Sequence, residues 1–206
     1  ITNTISGQGI YVSPIDLPAI SDIDNDGDLD ILTFGILGGI IEYHKNLSIE
    51  TYGNCDSLIF ERVDDCWGDI WEGFNSYSLY TCTSFPLAEE QVHVGSSLLT
   101  LDIDNDNDKE LVLGDVAFNN LNLLINGGDQ DSALIIDIDS LFPQNHINSE
   151  AAIMSSFPAA FYLDVNNDNK KDLIVSPNNA NNTENKNSVW LYLNQGATNM
   201  PNFEMP

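Results

Sequence analysis

The chain has 206 residues, 42% of them hydrophobic and 18% charged, enough apolar side chain for one globular core. Six Lys+Arg stand against 32 Asp+Glu, and the resulting formal charge of −26 would repel a nucleic-acid backbone or an anionic membrane surface, which excludes both as partners. Nine Phe, seven Tyr and three Trp argue against an acidic disordered tail, and no apolar run reaches the roughly 18 residues that a membrane-spanning helix needs.

The chain begins without Met and without a basic-then-apolar leader, as a processed chain or a piece of a longer one would. Its first predicted strand, residues 17–20, runs into a nine-residue acidic segment, Asp22-Ile-Asp-Asn-Asp-Gly-Asp-Leu-Asp30. A second strand follows at residues 29–34, then a Gly-rich turn, a third strand at 40–46 and a fourth at 57–61. Residues 50–90 then break the pattern. They hold all three cysteines (Cys55, Cys66, Cys82) and the aromatics Phe60, Trp67, Trp71, Phe74, Tyr77, Tyr80 and Phe85.

The order then repeats. A strand at 97–101 precedes Asp102-Ile-Asp-Asn-Asp-Asn-Asp-Lys-Glu110, followed by strands at 111–113, 121–126 and 133–136. A third copy has a strand at 159–163, the segment Asp164-Val-Asn-Asn-Asp-Asn-Lys-Lys-Asp172, and strands at 173–175, 189–194 and 202–204. From first Asp to the Asn ending the third strand, the spacing is 24 residues in the first two copies. In the third it is 30, the surplus being the Asn-rich stretch 178–187, read as a surface-loop insertion.

Numbering each acidic segment 1–9, oxygen-bearing side chains recur at positions 1, 3, 5 and 9, with Gly or Asn at position 6. Carboxylates that alternate in a tight turn can converge on one centre, and Ca2+ takes about six to eight oxygens in a flexible shell. Position 6 must tolerate a left-handed backbone, as Gly does freely and Asn better than most. Position 7 would contribute its carbonyl, which leaves its side chain free to vary among Asp28, Asp108 and Lys170. The expected ligands are Asp22, Asp24, Asp26, Asp28, Asp30; Asp102, Asp104, Asp106, Asp108, Glu110; and Asp164, Asn166, Asp168, Lys170, Asp172, for up to three Ca2+. Without a cation the clustered carboxylates would repel one another, and nothing basic lies within the first segment to offset them. An EF-hand is excluded, because its bidentate Glu at loop position 12 would fall on Thr33, Leu113 or Val175, inside β-type sequence.

Four short strands per repeat imply an all-β fold built from β-propeller blades, each a four-stranded antiparallel sheet, in approximate units 10–61, 92–136 and 155–206. A propeller closes with about four to eight blades, so the expectation is about three blades of a larger ring, the remainder supplied by further chain. The metal loops, with Leu29-Asp-Ile-Leu-Thr-Phe-Gly35 and Leu191-Tyr-Leu-Asn-Gln-Gly196, resemble FG-GAP or VCBS repeats, the calcium-loop blades also found in integrin α-subunit heads. The blocks Tyr43-His-Lys-Asn-Leu-Ser48 and Phe157-Pro-Ala-Ala-Phe-Tyr-Leu-Asp164 are closest to propellers exported by the type IX secretion system. The chain departs from that pattern at Asn107 and Asn169, where Gly is usual, and at Asn166. The resemblance implies a secreted or cell-surface protein whose calcium sites stabilise its blades. It also makes Ser57, Ser132 and Ser140, each preceded by Asp, resemble O-glycosylation acceptors, although Asp-Ser is equally ordinary turn chemistry.

Three cysteines leave one over, and Cys66 with Cys82 is the preferred disulfide. The segment around them is either an elaborated blade edge or a loop whose aromatics stack on sugar rings. No catalytic constellation is found: His44, His93 and His146 stand alone, outside any Gly-x-Ser-x-Gly or His-Glu-x-x-His pattern. Two functions follow: a non-catalytic module for adhesion, surface assembly or protein contact, or the propeller part of a polysaccharide-binding or polysaccharide-degrading enzyme. The partner is accordingly a protein or a glycan.

Overall fold

The computed structural model describes residues 3–4, 7, 9–74, 76–80, 82, 95–144, 148–179 and 184–205. The first sheet contains β1 (Asn3–Thr4), β2 (Ala19–Ser21), β3 (Asp30–Phe34), β4 (Ile41–Asn46) and β5 (Ile59–Asp64), ordered β1-β5-β4-β3-β2. All its pairings are antiparallel except β1 with β5. A one-turn helix, α1 (Ser48–Tyr52), which the strand pattern does not anticipate, joins β4 to β5. The hairpin β6 (Ile70–Glu72) and β7 (Tyr77–Leu79) follows. The second sheet is the meander β8 (Ser96–Leu101), β9 (Glu110–Asp115), β10 (Leu121–Asn126) and β11 (Ile135–Phe142). The third repeats it with β12 (Pro158–Leu163), β13 (Asp172–Pro177), β14 (Trp190–Asn194) and β15 (Phe203–Glu204). The protein is therefore all-β and built of antiparallel meanders.

The period-2 alternation of the strands decides how the sheets stack. In β9, Leu111 and Leu113 belong to the core shared with the first sheet, and Val112 to the core shared with the third. The first core joins Ala19, Leu32, Phe34, Ile41 and Tyr43 to Leu98, Leu111, Leu113 and Leu124. The second joins Leu101, Val112, Leu121 and Leu123 to Ala160, Leu173, Val175 and Tyr192. The middle sheet is thus covered on both faces, and each residue of β9 is buried. β11, by contrast, is largely exposed and carries Asp137 and Asp139, charges that suit an outer edge strand.

One contact between the stacked sheets leaves no room for a side chain. A Cβ on Gly114 would lie 1.8 Å from the carbonyl oxygen of Pro158, where β9 meets the start of β12. The Ser97 hydroxyl closes the same contact by donating to that oxygen at 3.0 Å.

The segment that breaks the repeat clamps the first sheet to the second. Trp67 donates its backbone N–H to Ile41 O at 2.8 Å, Glu72 to Gly39 O at 2.7 Å, and Ile135 of β11 to Gly68 O at 2.9 Å. Cys66 and Cys82 are joined by a disulfide with Cα atoms 6.0 Å apart, and Cys55 is exposed and free. Trp67 is buried in the first core, and Trp71 lies over Gly39, whose φ of +78° and closeness to the indole leave no space for a Cβ. Tyr77 accepts a hydrogen bond from Asn122 Nδ2 at 3.0 Å. These aromatics pack the clamp against the sheets, leaving Phe74 and Tyr80 as its exposed rings. Phe85 lies outside the described residues.

Candidate metal centre

Each acidic segment links the first strand of a sheet to the second, and the three adopt one backbone. Positions 4 and 6 have positive φ in all: Asn25 (62°) and Gly27 (102°), Asn105 (68°) and Asn107 (75°), Asn167 (62°) and Asn169 (67°). Position 6 was the one expected from the sequence. Position 4 was missed, although Asn stands there in all three segments and tolerates this conformation better than most residues.

The hydrogen bonds repeat as closely. The position-9 carboxylate, fully buried in Asp30, Glu110 and Asp172, accepts the position-2 N–H at 2.9, 2.9 and 3.1 Å from Ile23, Ile103 and Val165. The position-5 Asp accepts the position-7 N–H at 3.0, 3.0 and 2.9 Å in the pairs Asp26–Asp28, Asp106–Asp108 and Asp168–Lys170. The Asn ending each third strand uses Oδ1 to close the next turn, accepting from Ile59 (3.2 Å), Leu134 (2.8 Å) and Asn202 (3.0 Å). The acid at position 9 and the Asn after the third strand therefore have a structural role apart from any ion.

The loops differ in how many oxygens remain without a donor. In the second, two acid triads share Glu110: Asp102 with Asp104 and Asp106 with Asp108, ligand atoms in each triad lying within 4.8 Å of one another. Glu110 Oε1 and Asp108 Oδ1 are shielded from water, and no hydrogen-bond donor among the described residues reaches them. Burial first, then the Asp104, Asp108 and Asp106 charges, push the Glu110 carboxyl up to about 8; burial and Asp106 push Asp108 up to about 6. A divalent cation held by oxygen ligands would relieve both the repulsion and the missing donors. The donor set is all oxygen, which suits Ca2+.

In the first loop Asp22, Asp24 and Asp30 converge within 4.8 Å, as do Asp24, Asp26 and Glu50 of α1. Asp22 Oδ1, Asp26 Oδ2 and Asp28 Oδ1 are shielded without a donor. Burial pushes Asp30 up to about 7 against the hydrogen bonds it accepts from Asn46 and Ile23. No basic residue lies within the segment, as expected, but the fold brings one from outside it. Lys45, on β4, brings its ammonium against Asp24, 2.5 Å from Glu50 and 4.0 Å from Asp26. Asp28 Oδ2 accepts the Ile49 N–H at 3.1 Å, which leaves Oδ1 and the backbone carbonyl as its free oxygens.

The third loop is closed by its own bonds. Asp164 accepts backbone N–H groups from Asn167, Asp168 and Asn169 at 2.7, 3.2 and 2.9 Å, and Asn166 Nδ2 donates to Asp168 at 3.0 Å. Among the described residues, Asp164, Asp168 and Asp172 form no three-acid grouping of the kind seen in the other two loops. Asn166 removes the charge that would complete one, and Lys170 stands at position 7.

The first and second loops touch: Asn25 Nδ2 donates to Asn107 O at 2.7 Å, and Lys109 Nζ to Asn25 Oδ1 at 2.7 Å. Asn199, in the turn before β15, reaches Asn105 of the second loop. His44 is buried against Glu42 at 3.1 Å, and burial holds its pKa below the usual histidine range; His93 and His146 lie outside the described residues. Ser132 sits in a turn, donating its N–H to Asp129 Oδ1 at 2.9 Å; Ser140 is exposed on β11, and Ser57 is half-buried. No helix among the described residues is long and apolar enough to cross a membrane. No protein-family model, curated protein or solved structure matches the chain.

Proposed function

We propose that the chain is part of a calcium-stabilised, extracellular β-propeller that acts as a non-catalytic module for adhesion, surface assembly or protein contact. The observation that carries the calcium reading is the second loop, where the buried oxygens of Glu110 and Asp108 have no donor and face further carboxylates. Asp102, Asp104, Asp106 and Glu110 would hold the ion with Asp108, through its carbonyl or its free Oδ1; Asp22, Asp24, Asp26, Asp30 and the Asp28 carbonyl would do so in the first loop. Bound Ca2+ supplies charge neutralisation and ties the first strand of a sheet to the second.

The propeller reading is supported by the way the sheets follow one another. Leu99, Leu101, Val112, Leu121 and Leu123 of the second sheet pack toward the third. The same register positions in the third sheet are Phe161, Leu163, Ile174, Val189 and Leu191. Phe161, Leu163 and Val189 are 41%, 55% and 61% exposed, an apolar face on which a further sheet of the same kind would sit. With Trp67, Trp71 and Tyr77 packed into the inter-sheet clamp, a protein surface is favoured over a sugar-stacking platform as the partner.

The test is thermal melting in chelator, in calcium and in magnesium. At about ten times Kd each filled site adds about 1.4 kcal/mol, and the melting temperature in calcium should exceed that in chelator by about 3–6 °C per site, with magnesium a poor substitute. Equal melting temperatures in all three would reject the reading.

A further inference from the structure

The three loops share backbone and hydrogen bonds, so the residue beside each on the third strand can be compared directly. One position before the closing Asn stand Lys45, Ile125 and Leu193. The first loop alone therefore has a cation where the others have an aliphatic side chain. Its ammonium touches Glu50 and Asp24 and approaches Asp26, and Asp24 and Asp26 are two of the carboxylates that would face an ion.

We propose that Lys45 is a built-in counter-cation of the first loop, holding Asp24, Asp26 and Glu50 together when no metal is bound and competing with a divalent ion for the same oxygens. The inference rests on the calcium reading of the loops and adds an order to it. A metal entering the first loop must displace or share oxygens with an ammonium, whereas a metal entering the second meets the free Glu110 Oε1 and Asp108 Oδ1 with, among the described residues, no ammonium paired to the loop's carboxylates. The second loop fills at lower calcium, and the first stays folded without it.

The experiment uses the full chain, stripped with chelator and titrated calorimetrically with calcium chloride, with melting followed in parallel. Lys45→Met, made on a background in which Glu110→Gln and Asp106→Asn silence the second loop, should tighten calcium binding by the first loop tenfold or more. The same substitution in the otherwise native chain should lower the melting temperature in chelator. A variant that folds only in calcium would support the inference equally. The reciprocal change, Ile125→Lys, should weaken calcium binding by the second loop tenfold or more. The inference is overturned if Lys45→Met leaves first-loop affinity within about twofold or weakens it, or if Ile125→Lys leaves the second loop unchanged. Calcium that binds the second loop but ignores residue 45 defeats this inference alone; calcium that binds nowhere defeats the loop reading with it.

Discussion

Asn194 donates its backbone N–H to Asp172 Oδ1 at 2.8 Å, pinning the end of the third strand to the start of the second. Asn46 makes the same bond to Asp30 at 2.8 Å. In the second sheet the acid is Glu110, one methylene longer, and its Oε1 has no donor. The same position is thus saturated by backbone in two loops and left open in one; with Lys45 paired to the first loop and, among the described residues, no ammonium paired to the second, the second loop is the more dependent of the two on a cation.

Glu110→Gln tests that dependence. Above about pH 8, where Glu110 is ionised, an uncharged amide removes a buried charge, so the melting temperature in chelator at about pH 9 should rise by about 2–4 °C, equivalent to about 1 kcal/mol. The same variant should lose the calcium-induced rise that belongs to the second loop. Differential scanning calorimetry in chelator and in calcium measures both.

The raised carboxyl pKa values fix a pH dependence. Glu110 at about 8 and Asp30 at about 7 bind protons in the folded, metal-free chain that the unfolded chain releases above its ordinary carboxylate range. Between about pH 4.5 and 8 the unfolded state therefore holds fewer protons, and metal-free stability falls as pH rises through that window. Bound calcium keeps these groups ionised and should flatten or reverse the slope. Urea melts at pH 5, 6.5 and 8, with chelator and with calcium, report the two slopes.

Much of this arrangement was legible in the sequence because it follows from local rules. The acidic segments mark the turn between first and second strands, and the strand expected at 111–113 lies within β9. What could not be read needed tertiary contact. Lys45 lies outside the first segment in sequence, and only the pairing of β3 with β4 carries it to Asp24. The double use of position 9, as candidate ligand and as backbone acceptor, needed the register of Asn46 and Asn194. The role of residues 66–82 as a clamp depended on partners in both sheets, which a repeat-breaking segment does not announce.

The clamp has its own expected energetics. Cys66→Ser with Cys82→Ser opens a loop of 16 residues and should cost about 3 kcal/mol in denaturant melts. The calcium affinity of the loops should be unchanged, since none of their ligands lies in the clamp. A coupled loss of calcium binding would show that the clamp and the loops are one cooperative unit.

Gly114→Ala tests the stacking of the second and third sheets. With a Cβ placed 1.8 Å from Pro158 O, the strands must separate, and the expected cost is about 2–3 kcal/mol. Leu113→Ala, which opens a cavity in the other core, should cost about 3 kcal/mol without moving those strands apart. Denaturant melts of the two variants, with hydrogen exchange of β9 and β12, separate the two effects.

The most direct measurement of the central claim is calorimetric titration of the chelator-stripped chain with calcium chloride. The account expects saturable binding with Kd near 10⁻⁴ to 10⁻³ M, abolished at its tighter site by Glu110→Gln with Asp106→Asn. The absence of saturable binding up to about 10 mM calcium, a ceiling about ten times the weakest Kd expected, would contradict it.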